Sequence, residues 1–202
     1  MNIAVLASHQ GTTLQAVLDA CVQNWLPARV VVVISNNSEA GALCRAQALG
    51  VPTHHISSKT HPDPIDLDRA VCRSIEAANA DVVLLAGFMK KLGPITLRGY
   101  AGRILNTHPA LLPKFGGLGM FGANVHRAVI ASGDTVSGAS IHLVDHDYDT
   151  GLVIAQRTVE IVAEDTPDTL AQRVQAAERL LVVDVLRDIA LGVRSLPFKP
   201  RP

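Results

Sequence analysis

The sequence predicts an α/β fold, in which a mostly parallel β-sheet is flanked by helices and an antiparallel strand pair lies in the C-terminal half. Two observations lead to this prediction. In the first half of the chain, short aliphatic runs alternate with longer stretches of helical spacing, which is typical of a parallel sheet covered on both faces. In the second half, two strand-like runs are joined only by a short acidic loop.

The predicted strands of the first half are apolar on both faces, as the strands of a buried parallel sheet are. The helices between them are predicted from apolar residues that recur at positions i, i+3, i+4 and i+7. If the loop before the first helix is an ordinary capped turn, Thr12 or Thr13 would be the N-cap, because either hydroxyl can accept a backbone hydrogen bond there. We place strands over residues 3–7, 30–34, 82–86 and 103–107, and helices over residues 12–24, 39–49 and 65–78.

The second half begins with the antiparallel pair, which we place over residues 135–144 and 151–162. A long helix is then expected over residues 165–191. Its start is indicated by Thr166 as the N-cap and by Pro167 at the first helical position, where proline is favoured.

One domain over residues 1–193 is expected, followed by a loosely held, Pro-rich tail over residues 194–202. The chain has 202 residues, of which 48% are hydrophobic and 18% charged. It therefore has enough apolar material for a core and no compositional sign of disorder. Its 18 basic and 18 acidic side chains balance, which argues against a broad surface for nucleic acid. We expect no nucleic-acid partner.

The sequence also argues against export and against membrane insertion. The N-terminus lacks the basic region of a signal peptide. The longest apolar run, residues 82–89, is far shorter than the roughly 20 residues of a membrane span. The three cysteines are widely separated and lack the spacing of metal ligands, which is usual in a reducing compartment. A cytoplasmic location and no membrane partner are therefore expected.

A small polar loop, SHQGTT at residues 8–13, lies between the first strand and the first helix. Backbone N–H groups and the positive end of the helix dipole meet there, which suits a phosphate group. The loop has one glycine and no lysine, so it matches neither the dinucleotide-binding nor the Walker pattern. The residues alone leave two interpretations open: a phosphate site and an ordinary capped turn.

Asn106 lies near the end of the fourth predicted strand and His108 directly after it. The two side chains should point to the same side, because side chains alternate along a strand. The imidazole can exchange protons near neutral pH, and the amide can donate to a developing oxyanion. Pro109 and Pro113 restrict the backbone around the pair. A single loop histidine is more often structural than catalytic, but the Asn-x-His spacing beside a strand favours a catalytic site.

Two other clusters resemble metal sites in composition only, and we expect no metal. The acidic loop at residues 145–151 begins like a calcium loop, but Thr150 stands where glycine is needed and Gln156 where a bidentate glutamate is needed. The residues alone leave two interpretations of this loop equally open: it carries a catalytic carboxylate, or it is a solvated acidic turn. His54 and His55 lie in a Ser-, Thr- and Pro-rich stretch without metal-ligand spacing, so we expect a surface loop.

Four segments in order resemble the phosphoribosylglycinamide formyltransferase family, folate-dependent enzymes of purine biosynthesis. The most specific segment is NTHPALLP at residues 106–113, followed by Asp149 after the HLV of a strand end. LAGFM at residues 85–89 and the opening MNIAVL support it independently. The resemblance covers residues 1 to about 191 and implies a Rossmann-like formyltransferase fold. It also implies transfer of the formyl group of 10-formyltetrahydrofolate to the amine of glycinamide ribonucleotide.

The resemblance also implies the site residues and partners. The catalytic trio would be Asn106, His108 and Asp149: the first two, with His108 protonated, would stabilise the tetrahedral oxyanion, and Asp149 would orient His108 and relay a proton. The Leu112–Pro113 bond would be cis. The partners would be small-molecule substrates, with formyl-folate as co-substrate and no metal, and the chain would be a monomer or homodimer. The implied phosphate- and ribose-binding residues are Gly11, Thr12, Thr13, Gln175 and Glu178, and the implied folate-binding residues are Met89, Lys90, Lys91, Leu92, Leu97, Val144, Asp145, His146, Asp147 and Tyr148.

The chain departs from the family pattern at three places. His9 and Gln10 stand in a loop that usually has more glycines, and Thr150 replaces the first of two glycines after the catalytic acid. Residues 115–122 form a longer Gly-rich segment, which we expect to be a mobile flap or a substrate-side loop. Related formyl-handling enzymes remain alternatives: methionyl-tRNA formyltransferases and formyltetrahydrofolate deformylases carry extra domains not expected here, whereas sugar-nucleotide formyltransferases and a non-catalytic nucleotide-binding module stay open.

Overall fold

A seven-stranded sheet with helices on both faces forms the framework of the protein, seen in a computed structural model that describes residues 1–197. The strand order is β3-β2-β1-β4-β5-β6-β7. Strands β1 to β5 are parallel, β6 is antiparallel to β5, and β7 is antiparallel to β6. The predicted fold class is therefore confirmed. The elements are β1 (Asn2–Leu6), α1 (Thr12–Val22), β2 (Arg29–Ser35), α2 (Gly41–Ala48), β3 (Thr53–His55), α3 (Pro64–Ala77), β4 (Val82–Leu85), α4 (Pro94–Gly99), β5 (Ile104–His108), α5 (Ala123–Ser132), β6 (Val136–Leu143), β7 (Val153–Glu160) and α6 (Pro167–Ala190).

The central strands are buried on both faces, because each face meets its own layer of helices. On β1, Ile3 and Val5 join the cluster formed with α1, α2, α5 and α6. Ala4 and Leu6 point the other way, into a cluster formed with α3 and α4. Because β1 and β4 are parallel neighbours, both end at the same edge of the sheet, where the loops after Leu6 and Leu85 begin.

Two local predictions need correction. The N-cap of α1 is Gly11, with φ +70°, and no side chain caps the helix. A Cβ on Gly11 would lie 2.7 Å from Ala42, so close packing of α1 on α2 selects glycine over the better capping threonines. His54 and His55 belong to the short edge strand β3 rather than to a loop. By contrast, the prediction that Thr166 caps α6 is confirmed, with a complete capping box.

The chain after α6 is held more firmly than expected over the part that is described. Leu196 is buried in the core, and Arg194 Nη1 donates to the carbonyl of Ile154 at 2.8 Å. The expectation of a loose tail is therefore wrong for residues 194–197, and the rest of the predicted tail lies outside the described residues. Within residues 1–197, none of the helices combines the length and the apolar character that crossing a membrane requires.

Candidate active site

The pairing of β5 with β6 places the first site residues. Asn106 lies opposite His142 in the antiparallel register, and His108 lies opposite Ser140. The chain then turns back sharply after β6, where Gly151 passes so close to the Leu143 carbonyl that a Cβ would overlap it. This turn brings Asp149, in a left-handed conformation with φ +59°, back over the strand pair.

The carboxylate of Asp149 lies between two imidazoles. Its Oδ2 is 3.4 Å from His108 Nδ1, and its Oδ1 is 3.4 Å from His142 Nε2. Asn106 Nδ2 lies 3.0 Å from His142 Nε2. The three residues that the sequence singled out are thus brought together, although 41 positions separate Asp149 from His108.

His142 completes this cluster, and sequence reasoning missed it. Its Nδ1 faces the carbonyl of Leu143 at 2.8 Å, and because a carbonyl only accepts, Nδ1 carries the proton. In the neutral ring Nε2 therefore accepts from the Asn106 amide. The signal that could have revealed His142 is the register, since the residue paired with Asn106 across an antiparallel strand is its closest side-chain neighbour.

The Gly-rich segment at residues 115–122 contacts both His108 and Asp149. His108 Nε2 donates to the carbonyl of Phe115 at 2.8 Å, and the Gly117 amide donates to Asp149 Oδ2 at 3.0 Å. With Nε2 protonated, the neutral His108 ring has its lone pair on Nδ1, facing the carboxylate. Only the imidazolium form places a donor there.

Burial and hydrogen bonds act in opposite directions on these groups. Burial lowers the pKa of His108, and the negative charge of Asp149 and the Phe115 carbonyl offset this only in part. Burial by itself raises the pKa of Asp149, but the adjacent His142 ring, the charge of His108 and the Gly117 amide together bring it below its usual value. Asp149 is therefore a carboxylate at neutral pH, whereas the imidazolium of His108 is the minor form in the free protein.

A second polar contact joins α1, β5 and α6. Glu178 Oε1 accepts from Thr13 Oγ1 at 3.0 Å and from Thr107 Oγ1 at 3.1 Å. Burial raises the pKa of Glu178, with the two threonine hydroxyls opposing. Among the other residues implied for phosphate and ribose, Gly11 and Thr12 lie at the start of α1, and Gln175 is exposed on α6 one turn before Glu178.

A cleft opens beside the cluster, with Asn106, His142 and Asp149 at its polar end. Eight of the ten residues implied for folate line it: Lys90, Lys91, Leu92, Leu97, Val144, Asp145, Asp147 and Tyr148. Leu85 and Phe88 add apolar wall that sequence reasoning did not assign. The apolar walls and the polar end fit a flat ring system that carries a reactive group.

Two of the residues implied for folate lie away from the walls of this cleft. Met89 is 42% exposed, and its amide donates to Ser8 Oγ. His146 is exposed on the loop after β6. Across the mouth of the cleft, Lys91 Nζ lies 3.5 Å from Asp147 and 5.6 Å from the centre of the Tyr148 ring.

A wider groove lies between α1 and α6, but its lining differs in character. Its walls are mainly apolar, with Trp25 and Leu180 prominent, and its charged residues are Asp19, Arg179 and Asp184. The histidine–carboxylate cluster lines the smaller cleft instead. We therefore take the smaller cleft as the candidate active site. Within residues 1–197, we find no group of three or more His, Cys, Asp or Glu side chains arranged to hold a metal ion.

Comparison with known proteins identifies the family. The model of the formyl transferase family matches residues 1–186. The chain belongs to this family. It is 40% identical to phosphoribosylglycinamide formyltransferase of Escherichia coli K12 over 192 residues, which are 95% of this chain and 88% of that protein.

Solved structures of formyl transferase family members agree with the fold. The phosphoribosylglycinamide formyltransferase of Coxiella burnetii matches with a TM-score of 0.88 at 40% identity, covering 95% of this chain and 88% of that chain. The phosphoribosylglycinamide formyltransferase of Bacillus halodurans matches with a TM-score of 0.88 at 33% identity, and the match covers 98% of this chain and 100% of that chain. The family resemblance and the predicted enzyme class, a folate-dependent formyltransferase, are confirmed. The Leu112–Pro113 bond is cis, as predicted.

Proposed function

We propose that this formyltransferase moves the formyl group of 10-formyltetrahydrofolate to the amine of glycinamide ribonucleotide, a step of de novo purine biosynthesis. The names of the relatives support the reaction. The observation that carries the proposal is the Asp149 carboxylate, held 3.4 Å from two imidazoles at the polar end of the cleft. An amide and an imidazole can stabilise the oxyanion that forms when an amine attacks a formyl carbon, and a carboxylate can help to transfer the proton.

Asn106 and protonated His108 stabilise the negative oxygen that forms when the amine attacks. Losing one such donor typically costs about 3–4 kcal/mol, or roughly a hundred- to thousandfold in rate. The lowered pKa of His108 makes its imidazolium a stronger acid. The proton on His108 comes from solvent when the substrates bind. Negative charge growing on the formyl oxygen then raises the pKa of His108, so the ring stays charged during the attack and returns its proton to solvent once the formyl group has moved.

Asp149 orients His108 and relays the proton of the attacking amine through water to the departing folate nitrogen. It remains ionised for this role, because its pKa lies below the usual value. His142 supports the arrangement from the other side, since its Nε2 lies 3.0 Å from the Asn106 amide nitrogen and 3.4 Å from Asp149. No metal and no covalent enzyme intermediate is needed for these steps.

The remaining residues bind the two substrates. Gly11, Thr12 and Thr13 offer the N-terminus of α1 to the nucleotide phosphate, and Gln175 and Glu178 bind phosphate and ribose. The cleft beside the cluster takes the formyl-folate ring system, with the folate-binding set named above. We expect the chain to act in the cytoplasm as a monomer or homodimer.

A transfer assay tests this proposal. The purified chain is incubated with 10-formyltetrahydrofolate and glycinamide ribonucleotide, and a matched incubation omits the acceptor. We expect formylated ribonucleotide only when both substrates are present. Release of formate at the same rate without acceptor would instead identify a hydrolase, and transfer to a sugar nucleotide but not to glycinamide ribonucleotide would replace the proposed acceptor.

A further inference from the structure

The folate-side loop, residues 89–93, is held at both ends by buried polar side chains that do not line the cleft. At its start, Ser8 Oγ accepts from the Met89 amide at 2.8 Å and donates to Asn36 Oδ1 at 2.5 Å. Beyond its end, Asp68 of α3 binds the first turn of α4. The loop is thus fixed by contacts from elements that are distant in sequence.

Asp68 makes three hydrogen bonds to that turn. Its Oδ2 accepts from the Ile95 amide at 2.7 Å, and its Oδ1 accepts from the Thr96 amide at 3.0 Å and from Thr96 Oγ1 at 2.6 Å. Asp68 is 5% exposed and Thr96 is fully buried. Because a buried carboxylate is costly unless it is fully hydrogen-bonded, the position of Asp68 dictates where α4 begins.

The backbone of the folate-side loop packs directly on this carboxylate. A Cβ on Gly93 would lie 2.3 Å from the Asp68 carboxyl group, so only glycine permits the approach. Leu92, just before Gly93, and Leu97, on α4, both line the cleft. Asp68 therefore sets the spacing of two apolar walls that face the ring system of the donor.

We propose that Asp68 is a positioning residue for the formyl-folate donor, acting through Gly93 and the first turn of α4 without touching the donor. The inference rests on the proposed function, because it takes the cleft as the folate site. Removal of the carboxylate lets the α4 end of the loop shift while Ser8 still holds its start. The walls at Leu92 and Leu97 then no longer match the donor, whereas the nucleotide side at Glu178 keeps its contacts.

The test compares Asp68→Asn with Thr96→Val in steady-state kinetics. Asp68→Asn keeps one acceptor oxygen and loses the other, and Thr96→Val removes only the hydroxyl that donates to Oδ1. We expect the KM for 10-formyltetrahydrofolate to rise at least tenfold in Asp68→Asn and less in Thr96→Val. The KM for glycinamide ribonucleotide should stay within about twofold in both. If Asp68→Asn does not fold, the KM of Thr96→Val for 10-formyltetrahydrofolate tests the proposal instead. An unchanged KM in that variant then overturns the proposal.

Asp63→Asn is the matched control, because Asp63 also accepts from two backbone amides at a helix start, those of Ile65 and Asp66, and does not line the cleft. We expect it to lower the melting temperature without changing the donor KM. An equal rise in donor KM in both variants, a parallel rise in both substrates' KM, or an unchanged donor KM in Asp68→Asn would each overturn the proposal.

Leu97→Ala separates failure of this inference from failure of the proposed function. If Leu97→Ala raises the donor KM and Asp68→Asn does not, the cleft binds folate and only the role of Asp68 is wrong. If Leu97→Ala leaves the donor KM unchanged, the folate placement itself is wrong and the inference falls with it.

Discussion

Replacing Asp149 by asparagine removes one negative charge from the cluster while keeping its shape. The asparagine oxygen can still accept from the Gly117 amide, so the turn that carries the residue keeps this contact. Two imidazoles lose their carboxylate partner, and the Asp149 side chain is only 10% exposed, so water replaces it poorly. The variant should therefore fold, bind the nucleotide and turn over slowly.

The distances set the size of the effect. At the 3.4 Å between Asp149 and His108, a pair of unit charges interacts by about 5 kcal/mol at an effective dielectric constant of 20. His108 is mainly neutral in the free protein and becomes charged during the reaction, so much of this interaction is specific to the transition state. Allowing for partial replacement by water, we expect a loss of about 2–4 kcal/mol, or roughly 30- to 1000-fold in kcat.

The assay measures kcat and both KM values for Asp149→Asn beside Asp168→Asn, which removes an exposed carboxylate in the first turn of α6. The control should retain its kcat within about twofold. The KM for glycinamide ribonucleotide should change little in Asp149→Asn. A kcat of Asp149→Asn within threefold of the parent value would show that the carboxylate does not act on His108 in the transition state.

Three further predictions follow from the same contacts. His142→Leu should lower kcat about 10- to 100-fold, because Asn106 loses the ring that holds its amide; an unchanged kcat would make His142 structural. Burial raises the pKa of Glu178 above its usual value, so the KM of the parent protein for the nucleotide should increase at acid pH. Glu178→Gln should have a higher KM for the nucleotide that does not increase further at acid pH. An equal increase in KM at acid pH in both proteins would contradict this. His126 is buried, its Nδ1 has no hydrogen-bond partner within residues 1–197, and burial lowers its pKa. Because the unfolded chain then takes up the proton first, the free energy of unfolding should fall as the pH drops through about 6.5. In urea unfolding measured over this pH range, the free energy of unfolding should fall less in His126→Leu than in the parent protein. An equal pH dependence of the free energy of unfolding in the two proteins would refute this prediction.

Local patterns predicted the framework and the first two site residues. The Asn-x-His spacing at residues 106–108 lies at the end of β5, and alternation along that strand suffices to place both side chains on one side. Only the family resemblance predicted Asp149 as a site residue, because its position beside His108 depends on a turn that brings it back over β5 and β6. His142 was missed because the apolar residues around it on β6 make the segment typical of core.

Where the structure departs from local patterns, contacts distant in sequence override local preference. Gly11 caps α1 because Ala42 leaves no room for a side chain, although a threonine follows directly. The start of α4 is stabilised by Asp68, which lies about 27 positions earlier, so no local capping residue marks it. Helix α4 has six residues and is too short for a helical period to show.

Direct transfer of the formyl group is tested most sharply by following its carbon. In a single turnover, a donor labelled in the formyl carbon is mixed with excess protein and glycinamide ribonucleotide, and the label is traced in product, formate and protein. We predict that all transferred label appears in the formylated ribonucleotide, at a rate that falls in Asp149→Asn. Label bound covalently to the protein, or released as formate before the ribonucleotide is formylated, would contradict direct transfer at the Asn106–His108–Asp149 cluster.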